Sequence, residues 1–317
     1  MTRSPDHPIS LVFCGTPTFA VPTLEKLVEA GFRIPLAVTQ PDRPKGRGLE
    51  LVSSPVKQRA LKLGLPIVQP ERVKDNEDFR ARLTLLKPDA IIVVGYGRII
   101  PRWMLDLPPL GNINLHASLL PKYRGAAPIQ WAIARGESVT GVTTMKIDAG
   151  LDTGEILLQR EILISAEDTA ETLAPKLAAV GASLTVETLR GLQIGSIQPR
   201  RQNDSQATLA PILKKEDGLI NFSQPASEIL NRLRGFQPWP GAYSKFRGKT
   251  AQISKAVVFD CALAPAEIKV EGDNLLVGCG KGTAIEILEL QVEGKRRTSA
   301  SDFIHGYRPQ PGEKLGV

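Results

Sequence analysis

The run DAIIVVG, residues 89–95, decides the fold class: five consecutive apolar residues stand between Lys87-Pro88 and Gly95. A run of that length, apolar throughout and bounded by turn residues, reads as a buried strand. The same reading applies upstream to ISLVFCG at residues 9–15 and to residues 34–39, and a third strand begins near Pro66. Downstream it applies to residues 111–116 and 142–147. A helix is predicted over 22–30. A longer one is predicted over 169–192, where Glu167 and Asp168 favour the N-terminal end and Pro175 removes one helical hydrogen bond. Short β-branched runs alternating with helical stretches define an α/β domain with a mostly parallel sheet.

The texture changes near residue 195. IQPRRQNDSQAT at 197–208 is polar and without period, which suits a linker. The expected organisation is a first domain over 1–195, a linker over 196–208 and a second domain over 209–317. In the second domain, short alternating segments at 251–258, 266–270, 275–279 and 284–290 are punctuated by glycine and follow a helix near 227–233. That pattern predicts a small β-barrel or β-sandwich. A length of 317 residues agrees with two domains. Apolar residues at 42% and charged residues at 23% exclude a disordered or fibrous chain. No apolar run reaches the roughly 18 residues of a membrane helix. MTRSPDHPIS has no apolar core followed by a small-residue cleavage site. Three cysteines (Cys14, Cys261, Cys279) without CxxC spacing argue against a disulfide scaffold and against a thiolate zinc site. A cytoplasmic protein is the expectation. Forty basic residues against thirty-three acidic ones give +7, which permits a polyanionic partner without demanding one.

Two phosphate-binding patterns fail on inspection. Gly248-Lys249-Thr250 has Tyr243 five positions before its glycine, where a phosphate loop needs glycine. The turns after Gly15 and at Gly95-Tyr96-Gly97 hold too few glycines for a dinucleotide fingerprint, so these glycines read as turn-makers. The informative stretch is GNINLHASLLPKYRGAAPIQWAIARG, residues 111–136. His116, one of three histidines, ends an apolar strand two positions after Asn114, and alternation puts amide and imidazole on one face. They project at the carboxyl end of a sheet strand, where open α/β folds place ligands. Two readings stay open: a reactive pair, or a pair that only hydrogen-bonds the next loop. Ser118-Leu119-Leu120-Pro121 then makes a short loop whose backbone polar groups are expected to be free to bind a ligand. Pro128 suits the first turn of a helix. In GVTTMKIDAGLDTG, residues 141–154, a strand ends in a loop carrying Asp148 and Asp152. An aspartate before Thr-Gly usually builds a turn, whereas a buried carboxylate beside an imidazole holds its orientation and favours its protonated form.

Asn114-Leu115-His116 followed by SLLPKYRGAAPI, and then GLDTG, closely resembles the folate-dependent formyltransferases. GTPTFAVPTLEKL near the start, TQPDRPKGRG at 39–48 and FQPWPGAY at 236–243 extend the resemblance over almost the whole chain. The resemblance implies a formyltransferase fold related to Rossmann domains, followed by a barrel related to oligonucleotide-binding folds. It implies Asn114, His116 and Asp152 as a catalytic trio and Ser118, Leu119, Leu120 and Pro121 as the tetrahydrofolate-contacting segment. It also implies 10-formyltetrahydrofolate as a consumed co-substrate, no bound cofactor, and methionyl-initiator tRNA as the acceptor. By charge alone, residues 40–48 read as a solvated basic loop. The resemblance makes this loop a contact for the tRNA acceptor end through Arg43, Lys45 and Arg47, with Arg47 foremost. Lys295-Arg296-Arg297 is a further candidate phosphate contact, and Trp239 reads as core packing rather than base stacking.

The chemistry agrees with these residue types. Moving a formyl group from a folate nitrogen to an amine passes through a tetrahedral species with negative charge on oxygen. Such a site needs donors aimed at that oxygen and a proton path from amine to leaving nitrogen. Asn114 and His116 are donors, Asp152 orients the imidazole or a bridging water, and no metal is required. Two other classes fit the sequence less well. Formyltransferases of glycinamide ribonucleotide normally lack the second domain, and those of amino-sugar nucleotides are not expected to carry the basic loop. A noncatalytic RNA-binding protein leaves the coincidence of Asn114, His116, SLLP and Asp152 unexplained. A monomer is expected, with no membrane partner.

Overall fold

The computed structural model describes residues 9–45 and 50–316. The chain divides into two compact units. One holds the chain through Gly125 together with Val139–Leu163 and Ala174–Leu209; the other holds Ala126–Ser138, Ile164–Leu173 and the chain from Ala210 onward.

The chain begins with β1 (Ser10–Gly15), α1 (Val21–Glu29), β2 (Arg33–Val38), β3 (Arg43–Lys45), β4 (Glu50–Val52), α2 (Pro55–Lys62), β5 (Ile67–Val68), α3 (Glu77–Leu86) and β6 (Ala90–Val94). It continues with α4 (Arg102–Leu105), β7 (Asn112–His116), β8 (Arg124–Gly125), α5 (Pro128–Ala134), β9 (Val139–Lys146), β10 (Ile156–Leu163), α6 (Ala170–Gln193) and β11 (Leu209–Ala210). Seven strands form one sheet in the order β10-β9-β7-β6-β1-β2-β5. The five strands from β7 to β5 are parallel, and β9 and β10 extend the sheet by antiparallel pairing. This is the mostly parallel α/β fold expected from the apolar runs.

All five residues of β6 are buried. Ile91 and Val93 cluster with Val12, Cys14, Leu36 and Val38 of the neighbouring strands and with Phe79 and Leu83 of α3. The alternate residues Leu11, Phe13, Ala37, Ile92 and Val94 are buried as well. Both faces of the sheet centre are therefore covered, which is why its strands show no polar alternation. Each such side chain stabilises the fold by about 1.5–3 kcal/mol relative to an exposed one.

After β1 the chain builds β2 and β5 on one side, then returns to β6 on the other. An open α/β sheet leaves its ligand crevice at such a reversal. The loops after β1 and β6 are tied together there: Thr16 Oγ1 donates to Tyr96 O at 3.3 Å and Gln40 Nε2 donates to the same oxygen at 2.8 Å.

Capping starts two further helices in this unit. Ser54 accepts from the Lys57 N–H at 3.1 Å just ahead of Pro55 and begins α2. Asn76 accepts from the Phe79 N–H at 3.0 Å and begins α3, whose first turn carries Glu77 and Asp78. The basic stretch expected as a loop folds in part into a hairpin, with Arg43 of β3 opposite Val52 of β4. Asp42 fixes its base by accepting from Lys57 Nζ, from Gln69 Nε2 at 2.8 Å and from Ser53 Oγ at 3.3 Å.

From residue 226 the elements are α7 (Ala226–Gly235), β12 (Ala242–Phe246), β13 (Lys249–Phe259), β14 (Ile268–Glu271), β15 (Asn274–Gly278), β16 (Ala284–Val292), β17 (Thr298–Ser299) and α8 (Ala300–Tyr307). The strands form an antiparallel sheet in the order β12-β13-β16-β15-β14, with β17 added to β16. Phe246, Ile253, Leu275, Ile285, Ile287 and Phe303 lie in its core. Gly248 belongs to the two-residue turn between β12 and β13, where Arg247 and Gly248 have φ of +49° and +76°. Left-handed values at both positions match the tight hairpin turn, so Gly248-Lys249-Thr250 is structural. Trp239, expected in the core, is 56% exposed in the turn after α7. The packed aromatic pair is instead Trp131 and Phe236, with ring centroids 5.2 Å apart. Lys295 and Arg296 line a cavity of about 410 Å³ together with Phe303 and Tyr307. Among the described residues, no helix is long and apolar enough to cross a membrane.

Candidate active site

β7 alternates Asn112, Asn114 and His116 with Ile113 and Leu115. On the apolar face, Leu115 lies over Gly181 of α6. On the polar face, Asn112 is a brace, its amide donating to Met104 O at 2.9 Å and to Leu105 O at 3.1 Å. The other two polar residues of that face are held differently. Asn114 is half-buried and lies opposite Met145 of β9.

His116 is 6% exposed and its Nε2 lies 2.9 Å from the Tyr123 carbonyl oxygen. A carbonyl only accepts, so Nε2 carries a proton and Nδ1 is the ring nitrogen left for chemistry. Nδ1 lies 3.7 Å from Asp152 Oδ2. That separation exceeds a hydrogen bond yet is short enough for direct charge attraction. Imidazole and carboxylate, distant in sequence, therefore meet.

The Asp152 carboxylate is aimed by the backbone: Oδ2 accepts from the Gly125 N–H at 2.9 Å. Asp152 itself has φ of +52°. Left-handed backbone costs a residue other than glycine roughly 1–2 kcal/mol, and aspartate is among the types that adopt it. The conformation is held from behind by Gln202, whose Nε2 donates to the carbonyls of Asp152 and Gly154, both at 2.8 Å. Gly154 sits where a Cβ would lie 1.8 Å from Lys146 O, so the loop can return to β10 only through glycine. Asp148, the other carboxylate, builds the turn: its Oδ1 accepts from Gly150 N–H at 3.0 Å and from Thr153 Oγ1 at 2.7 Å.

The SLLP segment differs from expectation, because its backbone groups are engaged by the fold. Thr143 Oγ1 donates to Ser118 O at 2.6 Å and accepts from Leu120 N–H at 3.2 Å. Gln159 Nε2 donates to Leu120 O at 2.9 Å, and Lys122 N–H donates to Leu119 O at 3.1 Å. Ser118 is fully buried and its hydroxyl donates to Lys122 O at 2.6 Å. Leu120 packs on Met145 and Ile156. Polar side chains on β9 and β10 thus satisfy the turn from beneath, and Leu119 and Pro121 are half-buried.

Arg43 is exposed on β3, Lys45 ends that strand, and Arg47 lies outside the described residues. Four participants were missed from sequence: the Tyr123 carbonyl, the Gly125 N–H, the Thr143 hydroxyl and the Gln202 amide. The first two are backbone groups, which residue type does not announce. Gln202 belongs to the stretch that reads as a linker, but that stretch is bonded into the first unit: Arg200 bridges to Ile156, and Thr208 N–H donates to Pro121 O at 3.3 Å. Cys14 lies one residue before the end of β1, but burial pushes its thiol well above the ordinary range, so it offers no thiolate.

The sequence matches the formyl transferase family over residues 9–189 and the formyl transferase C-terminal domain over residues 212–308. The chain belongs to the formyl transferase family. Its relatives include the methionyl-tRNA formyltransferase of Koribacter versatilis, 66% identical over 306 residues that span 96% of this chain and 98% of the relative. They also include that of Acidobacterium capsulatum, 57% identical over 98% of this chain and 100% of the relative. Among solved structures, an N-formyltransferase from Helicobacter canadensis, in complex with folinic acid and dTDP-3-aminofucose, shares the fold. It superposes with a TM-score of 0.66 at 19% identity, covering 88% of this chain and 98% of that one.

Proposed function

We propose that this chain transfers the formyl group of 10-formyltetrahydrofolate to the free α-amine of methionyl-initiator tRNA. The acceptor is supported by relatives named for methionyl-tRNA at up to 66% identity over nearly the full length. The chemistry rests on one observation: a buried imidazole bound through Nε2 to a carbonyl, with Nδ1 turned to a carboxylate at 3.7 Å.

The methionyl amine nitrogen attacks the formyl carbon, forming the new C–N bond and moving the carbonyl π pair onto oxygen. Nδ1 of His116 takes the amine proton, and the Asp152 carboxylate stabilises the resulting imidazolium. Nδ1–H and the Asn114 amide N–H donate to the oxyanion while it lasts. The carbonyl then re-forms, the bond from carbon to the folate nitrogen breaks, and that nitrogen takes up the proton. Leu119 and Pro121 meet the folate by apolar contact. Arg43, Lys45 and Arg47 meet phosphates near the tRNA acceptor end, fixing register rather than reading bases.

The test is a transfer assay with formyl-labelled donor, offered separately methionyl-initiator tRNA, other charged tRNAs and small amines. Label on methionyl-initiator tRNA is expected. Label confined to a small amine overturns the acceptor assignment.

A further inference from the structure

We infer that Gln202 is a positioning residue for formyl transfer, holding Asp152 at its working distance from His116; this rests on the role proposed for Asp152. Its side chain bridges two surroundings of opposite character. At one end, Nε2 donates to the Asp152 and Gly154 carbonyls, both at 2.8 Å. At the other, Oε1 accepts from Arg124 Nε at 3.0 Å and from Arg124 Nη2 at 2.8 Å. Carbonyls only accept and a guanidinium only donates, so these neighbours admit one orientation of the amide. They also demand a side chain that donates twice at one end and accepts at the other. Glutamate only accepts and lysine or arginine only donates, so neither serves.

Arg124 makes the bridge firm. It is 7% exposed, its N–H is held by Thr208 O at 2.8 Å, and its Nη2 also meets Asp204 Oδ1 at 2.7 Å. The next residue, Gly125, supplies the N–H that binds Asp152 Oδ2. One short segment thereby holds the aspartate at both ends, its carboxylate directly and its carbonyl through Gln202. The left-handed backbone of Asp152 is the conformation such a clamp maintains. The hydrogen bonds of the Gln202 side chain run to Asp152, Gly154 and Arg124, so it acts on the reaction through the aspartate.

The experiment is a double-mutant cycle in steady-state formyl transfer. Gln202→Glu keeps the acceptor for Arg124 and puts an anion against the two loop carbonyls. Because misplacing a reacting group by about 1 Å costs up to roughly 10²-fold, turnover should fall by about that factor. KM for the formyl donor should stay at its wild-type value. In an Asp152→Asn background, the same substitution should cost nothing further, since groups acting as a unit are not additive. Gln202→Met, which removes both polar ends without adding charge, carries the test should the glutamate unfold the segment. Wild-type turnover in both Gln202 variants, or a full additional loss on top of Asp152→Asn, overturns the inference while leaving the role of Asp152 intact. Wild-type turnover in Asp152→Asn alone overturns that role, and the inference with it.

Discussion

His116 has two ring nitrogens with different fates, and the predictions for single side chains follow from that division. Nε2 is committed to the Tyr123 carbonyl, so substrate protons have only Nδ1, where Asp152 stands 3.7 Å away. Asp152→Asn keeps an oxygen for the Gly125 N–H but removes the negative charge facing the ring. Turnover should drop by about 10²–10⁴-fold, the usual contribution of a positioned acid–base group, with circular dichroism unchanged. Cys14→Ala should retain wild-type turnover, because a thiol held protonated by burial contributes no nucleophile. Strong loss in a folded Cys14→Ala variant, or trapping of a formyl thioester, contradicts direct transfer. The residue types at 114, 116 and 152 were legible because amides, imidazoles and carboxylates advertise their chemistry. The Tyr123 carbonyl and Gly125 N–H were not, because every residue carries those groups and only the folded path selects which are aimed.

Strand β6 and the hairpin β3–β4 show how legibility varies between elements. An apolar run such as 90–94 has one reading, since burial on both faces leaves no other solution. Helices α2 and α3 depend on caps at Ser54 and Asn76, a local signal that hydrophobic period does not carry. The hairpin depends on Asp42, whose partners Lys57 and Gln69 come from later in the chain, so a loop was the natural reading of its charge. Hydrogen bonds from Lys57 first, then Gln69, hold the Asp42 carboxyl below the usual carboxylate range. A lowered folded value means that this anchoring is complete above the unfolded pKa of about 3.9 and is lost as pH falls through the folded value. Asp42→Asn should therefore lower Tm at neutral pH, and the gap to wild type should close in acid. A gap that is the same at both pH values contradicts the anchor. Arg47→Ala should weaken tRNA binding and reduce the salt slope by about one, as removal of a phosphate contact does. Unchanged affinity across salt concentrations contradicts that contact.

The chain folds as two compact units, and the match to formyl transferase domains runs across both parts of it. A net charge of +7 suits a polyanionic acceptor, so rising salt should raise KM for charged tRNA far more than KM for the folate donor. Equal salt dependence for the two substrates contradicts a macromolecular acceptor. The α/β class and the β domain could be read from texture, whereas the binding of 200–208 onto the first unit could not: polar, aperiodic residues look alike whether solvated or hydrogen-bonded. The most direct test of the proposed chemistry is single-turnover formyl transfer to methionyl-initiator tRNA by His116→Ala at saturating donor. A rate about 10²–10³-fold below wild type, in a variant with native circular dichroism, is the predicted result. A wild-type rate contradicts it.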